Sequence, residues 1–347
     1  MNFGFDNGPH IKDSDNVSKM MNRIIFSLLP IIIFSIYNYG YLPYLNNNDI
    51  LVLIKPLLMI LLSISISFIT EYIYIRFIMK KDKDTIKNLN NSYPLITGLL
   101  FVLIIPYNTP YYLIILGSFI ATFIGKMIFG GFGYYIFNPA LIGLLFIMTL
   151  SNYIGNLNTL DFNITSLSIS NYLEIDNLND YFIGLINGSL GEISKILIIL
   201  SFVYLTITKT IKSLIPLSYI IVVFIMTYII SLFNNVDIYY PIYNIISGSL
   251  LFMAVFIATD PLTSPVSKSG QLIYGISLGI LTILFRYLNP NIDSVITSIL
   301  TMNMLVIIID NISAKGVFKK NYKIIPYLIL ITLMILISIY IGIKGVL

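Results

Sequence analysis

Long apolar stretches recur along the whole chain and are separated by short polar segments. A helix that crosses a bilayer needs about 20 mainly apolar residues, because only an internally hydrogen-bonded backbone is stable in hydrocarbon. The pattern predicts an all-α polytopic membrane protein with about ten core transmembrane helices and one extra C-terminal span. The eleven predicted spans, of which the third and eighth are short, lie at 24–41, 52–75, 95–106, 111–129, 136–152, 193–208, 214–233, 245–259, 270–288, 293–310 and 324–343.

Lysine and arginine fall on alternate loops of this arrangement. They precede the first span and follow the second, sixth and tenth, whereas the loops at 42–50, 153–192 and 234–244 contain neither residue. Cytoplasmic loops retain basic residues, so the alternation sets the orientation. We expect a multi-pass protein of the bacterial plasma membrane, with its N-terminus in the cytoplasm and 153–192 outside.

Two similar segments, 96–101 and 246–252, open the third and eighth spans. Because these spans are five apart, the two copies run in opposite directions across the bilayer, as in an inverted repeat. The alternative is that Ile- and Leu-rich helices resemble one another by composition. The repeat predicts five regions. They are a cytoplasmic tail (1–23), a first transmembrane repeat (24–152), an external loop (153–192), a second transmembrane repeat (193–310), and a basic loop with an extra span (311–347).

The amino-acid composition limits the kinds of chemistry that this chain can perform. Charged residues make up 10% of the chain, against about a quarter in soluble domains, so a water-soluble enzyme is not expected. There is no cysteine and one histidine, His10, which excludes disulfides, thiolate metal sites, iron–sulfur clusters held by this chain and His-ligated haem. No metal site and no nucleic-acid partner are predicted. Chemistry in this chain must use hydroxyls, carboxylates, backbone groups or an organic cofactor.

A glycine-rich segment at 125–133 contains Lys126 and leads to Asn138, which precedes Pro139. Glycines allow a close approach to a ligand, and the proline break exposes N–H groups at a new helix start. This arrangement suits a phosphate or the edge of a flavin ring. The run matches no nucleotide-binding fingerprint, and a tight hairpin would have the same appearance.

Carboxylates near span ends are candidates for an ion path. Asp260, a candidate for the ion path, and Thr263, a candidate cofactor-binding residue, lie in 258–265, where two prolines interrupt the helix, and Asp310 ends the tenth span. Each carboxylate has an alternative interpretation as a helix-terminal group at the membrane surface. Lys55 and Glu71 of the second span are expected to reach the interface.

The external loop ends in a cluster of small and polar residues at 187–194. Ser189, Gly191, Glu192 and Ser194 suit a bound anionic group at a helix start. The alternative, favoured by spacing alone, is a capping box in which Ser189 caps the helix and Glu192 follows three residues later.

These motifs, spread over about 95–265, together resemble the D subunit of the Rnf ion-translocating electron-transport complex and the B subunit of the sodium-pumping NADH:quinone oxidoreductase. The resemblance implies a flavin-carrying inverted-repeat subunit, with FMN attached to the threonine of an external Gly-Ser-x-Gly-Glu-Thr motif. Ile193 occupies that position and has no hydroxyl. We therefore expect FMN or riboflavin to bind noncovalently; Ser194 is the adjacent hydroxyl that could replace the threonine.

The resemblance further implies electron transfer between ferredoxin and NAD, through flavin, coupled to Na⁺ or H⁺ transport. Iron–sulfur and flavin partner subunits would supply the chemistry that this chain lacks, so the chain is not catalytic alone. A small-solute transporter or channel of the same inverted-repeat fold is the alternative, and a purely structural subunit is a third possibility.

Overall fold

The computed structural model describes residues 16–80, 85–153, 172, 178–184, 188–288, 293–315 and 325–344. Within these ranges the regular elements are helices, joined by one isolated antiparallel bridge between Pro106 and Ser189. The helices are α1 (Val17–Ile36), α2 (Leu42–Asn47), α3 (Ile50–Ile73), α4 (Thr85–Ser92), α5 (Pro94–Leu103), α6 (Tyr111–Thr122), α7 (Pro139–Tyr153), α8 (Leu178–Ile183), α9 (Lys195–Ile207), α10 (Leu214–Phe233), α11 (Tyr239–Ile246), α12 (Leu250–Phe252), α13 (Lys268–Leu288), α14 (Ser294–Lys315) and α15 (Ile325–Lys344).

In the described part of the chain, six helices are long and apolar enough to cross a bilayer, and one further pair of helices passes the same test together but is sharply bent, as in a broken span or a re-entrant loop. Three shorter apolar helices lie at Tyr111–Met127, Pro139–Leu150 and Lys195–Ile207. The prediction of an all-helical, multi-pass membrane protein is confirmed at this level.

Local sequence explains where several helices begin. The side chain of Asn16 accepts a hydrogen bond from Lys19 N at 2.8 Å, and that of Asp49 accepts one from Leu51 N at 3.0 Å. Both therefore satisfy an amide that has no partner within the first turn of its helix. Pro94 begins α5, where the missing N–H has no cost.

Four helices continue into a single π-helical turn, at Tyr37–Tyr41, Tyr74–Ile78, Phe123–Met127 and Met253–Ile257. Such turns insert extra backbone and change the direction in which side chains point. The third contains Lys126 and the fourth contains Val255, and both residues line a cavity between the two halves of the chain. The π turns therefore place side chains at the candidate site.

The helices form two bundles, α3 with α5, α6 and α7, and α10 with α13, α14 and α15, while α1 packs on α9. Small residues allow the close approaches, as is typical of membrane helices. A Cβ on Gly98 would lie 2.9 Å from Ile64 Cα of α3, and one on Gly143 would lie 2.6 Å from Gly117 O of α6. Glycine is therefore required at both contacts.

Two spans are shortened or broken at the predicted repeat motifs. α5 is a half-length helix of ten residues that contains Gly98. α11 and α12 meet at an angle of 66° across Ser247–Ser249, which includes Gly248. The predicted external loop at 234–244 is wrong in part, because α11 begins at Tyr239 and its buried Tyr240 and Tyr243 belong to the core. Their apolar rings make burial favourable although the segment carries no long apolar run.

Candidate functional site

A cavity, which we call the central cavity, lies between the first of the two bundles and the end of the bent α11–α12 segment, with α1 and α9 on its remaining side. Its walls come from the start of α5, the π turn at Phe123–Met127, the glycine loop, the start of α7 and the end of the bent span. Four aromatic rings line it, those of Tyr93, Phe132, Tyr135 and Phe256, and its polar side chains include Thr97, Lys126, Asn138 and Asp260. Both halves of the chain therefore build the site.

The Lys126 ammonium is buried in this wall and bound to α3. Its Nζ lies 2.5 Å from Glu71 Oε1, and the exposed fractions of the two side chains are 1% and 0%. Nζ also donates to Ser92 O and, at 3.4 Å, to Thr97 Oγ1. The expectation that Glu71 reaches the interface is wrong, because pairing with Lys126 compensates its charge inside the protein.

One oxygen of this buried pair has no hydrogen-bond partner among the described residues. Glu71 Oε2 is in this position, as is the hydroxyl of Ser67 one helical turn earlier. Lys55, the other charged residue of α3, places Nζ 4.1 Å from the centre of the Tyr107 ring. A cation over an aromatic face is stabilised there, so the two charges of α3 have different explanations.

Asp260 forms the opposite polar edge of the cavity. Asn138 Nδ2 donates to its Oδ2 at 3.2 Å, and Leu262 N and Tyr135 OH donate to Oδ1 at 3.3 and 3.4 Å. Burial raises the pKa of Asp260 to about 6, although these hydrogen bonds lower it. The carboxylate thus joins the two halves and changes its charge near neutral pH.

Asn138 holds its position because its other amide atom caps a helix. Asn138 Oδ1 accepts a hydrogen bond from Ala140 N at 3.0 Å, at the start of α7. Pro139 supplies the first helical residue after it. The cap fixes the amide so that its nitrogen faces Asp260.

The predicted residues Thr263 and Asp310 lie in and beside the loop after Asp260, outside the lining of the central cavity. Thr263 is buried, and its hydroxyl has no partner among the described residues. Asp310 Oδ1 accepts from Val266 N at 3.1 Å, just before α13. Lys212, which sequence reasoning missed, donates to Ser264 Oγ at 3.0 Å and to Pro265 O at 3.1 Å. Asp310 and Lys212 therefore anchor this loop.

The predicted external residues form a separate cluster at the far end of α5. Gly191 N donates to Leu103 O at 2.7 Å, and Leu190 N donates to Ile105 O at 3.4 Å. These bonds satisfy carbonyls that the end of a helix leaves free. A Cβ on Gly191 would lie 2.9 Å from Leu103 O and from the Phe252 ring, so the segment packs without spare room.

The predicted capping box is not found at the start of helix α9. Ser194 is the N-cap and accepts from Leu197 N at 3.4 Å, whereas Ser189 lies five residues earlier and pairs with Pro106. The capping box of Ser189 and Glu192 is therefore wrong, because the chain must first cross the end of α5. Ile193 is buried with an exposed fraction of 4%, and Ser194 with 5%.

The structure thus brings Lys126, Asn138 and Asp260 together and leaves Ser189, Gly191, Glu192 and Ser194 in another place. The glycine run and the two Pro-containing motifs gave a signal for the first group. Glu71, Tyr93, Phe132 and Tyr135 were missed as site residues, because no local pattern shows that they face a shared cavity.

Broken membrane helices that meet at a buried cavity with a paired lysine and a carboxylate are typical of the transporter and translocase class. The family described as NQR2, RnfD, RnfE matches residues 5–319. The chain belongs to this family, and the resemblance found in its motifs is confirmed.

Named relatives agree with this assignment. The chain is 29% identical to the D subunit of the proton-translocating ferredoxin:NAD(+) oxidoreductase complex of Clostridium ljungdahlii, over 89% of this chain and 93% of the relative. It is 27% identical to the D subunit of the Na(+)-translocating ferredoxin:NAD(+) oxidoreductase complex of Acetobacterium woodii, over 93% and 99%. It is 30% identical to the D subunit of the ion-translocating oxidoreductase complex of Methanosarcina acetivorans, over 82% and 85%.

Proposed function

We propose that this membrane subunit of an Rnf-like ion-translocating oxidoreductase complex relays electrons through a flavin in the central cavity while the complex moves Na⁺ or H⁺. The observation that carries the proposal is the cavity, where aromatic side chains from both halves face the polar edge of Asn138 and Asp260. Family membership and the relatives' names support the redox role. The electrons pass between ferredoxin and NAD on partner subunits, as in the names of those relatives.

The residues of the cavity fit a flavin ring. Tyr93, Phe132 and Tyr135 offer ring faces and edges to a planar heterocycle. Asn138 and Asp260 hold hydrogen-bonding groups at one edge, where a flavin has its polar atoms. A bound flavin supplies one- and two-electron chemistry that this chain's side chains lack.

The charges favour a flavin without phosphate. Lys126 is the one cation among the described residues that line the cavity, and its ammonium donates to Glu71, Ser92 and Thr97. An ammonium has three hydrogens to donate, so Lys126 has none left for a phosphate. Asp260 adds negative charge when ionised. We therefore propose riboflavin rather than FMN for this site.

The external segment does not fit a phosphoester-linked FMN. Ile193 has no hydroxyl, and the hydroxyl of Ser194 is buried and caps α9. Gly191 has no space beside it for a ligand atom. Noncovalent contact with FMN through Ser189 and Glu192 stays a proposal that rests on the family resemblance, and we derive no electron-transfer step through it.

The ion path is proposed at Asp260 rather than Asp310. Asp260 lines the central cavity and titrates near neutral pH, so its charge can follow the charge of a bound redox group. Asp310 Oδ1 accepts a hydrogen bond from Val266 N, which supports a role in anchoring the loop before α13. Asp260 is the residue at which ion movement and electron movement can influence each other.

For the topology we propose ten core spans in two inverted halves, at 24–152 and 193–310, with a cytoplasmic N-terminus and a further C-terminal span. The half-length α5 and the broken α11–α12 pair support this, because both carry the repeat motif with glycine. The central cavity then lies toward the cytoplasm and the Gly191 cluster toward the outside. Iron–sulfur and flavin subunits of the complex are the proposed partners on the two sides.

The proposal is tested on the purified complex by acid-released flavin fluorescence and by the intact mass of this chain. We expect an unmodified mass and released riboflavin. Ala140→Leu, which reduces the cavity, should lower the riboflavin content, whereas Phe129→Ala, on an exposed loop position that does not line the cavity, should not. Unchanged flavin content in Ala140→Leu contradicts the site, and a flavin-sized mass increase contradicts noncovalent binding.

A second measurement separates the redox role from the alternatives. Asp260→Asn in the complete complex, reconstituted into liposomes, should reduce ion transport while the complex stays assembled. Unchanged transport indicates a structural subunit. A flavin-free complex that conducts a small solute indicates a transporter.

A further inference from the structure

Phe132 separates the central cavity from a second pocket. That pocket, which we call the vestibule, is lined by polar side chains of α4, Asn88, Asn91 and Ser92, and by the glycine loop. Phe132 contributes to the lining of both spaces. A displacement of this one ring is therefore the shortest way to join them.

Aromatic contacts hold the Phe132 ring in place. Its centre lies 5.2 Å from that of Tyr93 and 6.3 Å from that of Tyr135, with interplanar angles of 67° in both pairs. These edge contacts are favourable but individually weak. Tyr93 and Tyr135 both line the central cavity, so the three rings together form its aromatic end.

Glycines flank Phe132 along the chain and leave space beside its backbone. Gly130, Gly131 and Gly133 have φ values of +111°, +94° and +103°, a region that glycine enters without steric cost. No atom lies within 4 Å of a Cβ placed on Gly133, and Met127 Cε is the nearest to one on Gly131, at 4.0 Å. The loop is therefore not packed tightly on the side of its glycines.

The near end of the loop is fixed. Gly130 N donates to Met127 O at 3.0 Å, and Gly131 N donates to Lys126 O at 3.1 Å. The buried ammonium of Lys126 holds this helix end in turn through Glu71. Gly131 O also accepts a hydrogen bond from Tyr134 N at 3.3 Å, so the backbone next to Phe132 is held, and a change of the Phe132 side-chain rotamer can move the ring while the cavity wall stays in place.

We propose that Phe132 is a gate through which a small, planar, uncharged ligand passes from the polar vestibule into the central cavity. The identity of that ligand as riboflavin rests on the proposed function, whereas the gate itself does not. A competing route exists through the apolar wall formed by Met21 and Ile24 of α1 and Leu205 of α9, which also line the cavity. That route would serve a ligand arriving from the lipid.

The chain has no cysteine, so one introduced thiol reports access without background. Ala140 lines the central cavity and is buried, and Ala140→Cys changes little volume. The measurement is the labelling rate of this thiol in the purified full-length chain by a charged methanethiosulfonate, which does not cross apolar walls. In the same background, Phe132→Ala removes the gate ring, and Phe132→Trp replaces it by a larger one.

We expect the rate to rise at least tenfold with Phe132→Ala and to fall with Phe132→Trp. The matched control is Phe129→Ala, which lies in the same segment but lines neither space, and it should leave the rate unchanged. Phe132→Leu supplies a milder opening if the alanine variant is not monodisperse. Equal rates in the Phe132 series and the control overturn the gate. Labelling by membrane-soluble N-ethylmaleimide alone, independent of residue 132, also overturns it and supports the lipid route.

Riboflavin release from the loaded complex provides the second readout. Release should follow the same order as labelling. A labelling series in the expected order without any bound flavin supports the gate and contradicts the proposed function. Bound flavin together with a labelling rate that does not depend on residue 132 supports the proposed function and contradicts the gate.

Discussion

The chain holds a buried lysine at each of two interrupted spans, but the surroundings of the two lysines differ. Lys126 donates to Ser92 O, the last residue of α4 before half-helix α5. Lys195 donates to Gly248 O at 2.8 Å, just after the end of α11. In both places a cation satisfies a carbonyl at a helix C-terminus, where positive charge is favourable.

The difference lies in the space around each lysine. Lys126 has the carboxylate of Glu71 at 2.5 Å and borders the central cavity. Near Lys195, the Gly191 segment fills the end of α5 and contacts Phe252, so the backbone occupies the available space. The same way of stabilising a broken helix thus borders the central cavity, the proposed ligand site, in one place and a packed junction in the other.

The largest effect is expected when the buried ion pair loses one partner. Lys126→Met leaves Glu71 uncompensated and should lower the free energy of unfolding by about 3–5 kcal/mol. The double variant Lys126→Met with Glu71→Gln should recover a large part of that loss, because no charge stays buried alone. Thermal unfolding in detergent measures both. A double variant no more stable than the single one contradicts the pairing.

Asp260 should make stability depend on pH. Its folded-state pKa of about 6 is above its ordinary value of 3.8, so its stabilising contribution is present below about pH 4 and lost as the pH rises through about 6. We expect a decline of up to about 3 kcal/mol over that interval. Asp260→Asn should flatten this part of the profile of unfolding free energy against pH. An unchanged slope in the variant contradicts the assignment.

Lys195→Met tests the packed junction. It removes a charge-assisted hydrogen bond to Gly248 O, and we expect a loss of about 1.5 kcal/mol, less than for Lys126→Met. Flavin content should not change, because Lys195 does not line the central cavity. A parallel loss of riboflavin would show that the two sites are coupled and would contradict the distinction between them.

The smallest effect is expected at Ser194. Ser194→Ala removes the N-cap of α9 and should cost about 1 kcal/mol, whereas Ser194→Asp keeps an acceptor and should cost less. Intact-mass analysis of the parent chain and the alanine variant should give masses that differ only by the substitution. A larger difference would show a group attached to this hydroxyl.

The spans were predictable to the extent that each is one long apolar helix. The predicted span at 214–233 coincides with α10, and that at 270–288 begins two residues inside α13. The segment near 245–259 was less predictable, since α11 before its break has an amphipathic, tyrosine-rich sequence rather than a continuous apolar one. Apolar length specifies a crossing, but tertiary packing decides where a short helix forms beside a break.

The site was predictable where proline and glycine mark interruptions. Asn138 and Asp260 each precede a proline that interrupts a helix, and the structure joins them at 3.2 Å. The pair of Lys126 and Glu71 could not be foreseen, because 55 residues separate them and each has a plausible place at a membrane surface. Ser194 shows the limit of spacing arguments, since the segment before α9 must first cover the carbonyls of α5.

The isoleucine at position 193 has a consequence for how the protein matures. On the proposed noncovalent binding, maturation of this polypeptide requires no flavin-attaching enzyme, because Ile193 has no hydroxyl and the Ser194 hydroxyl caps α9. The proposal then predicts that the finished chain can be loaded after production in a foreign host, and that its cofactor can be exchanged for synthetic analogues with altered redox properties.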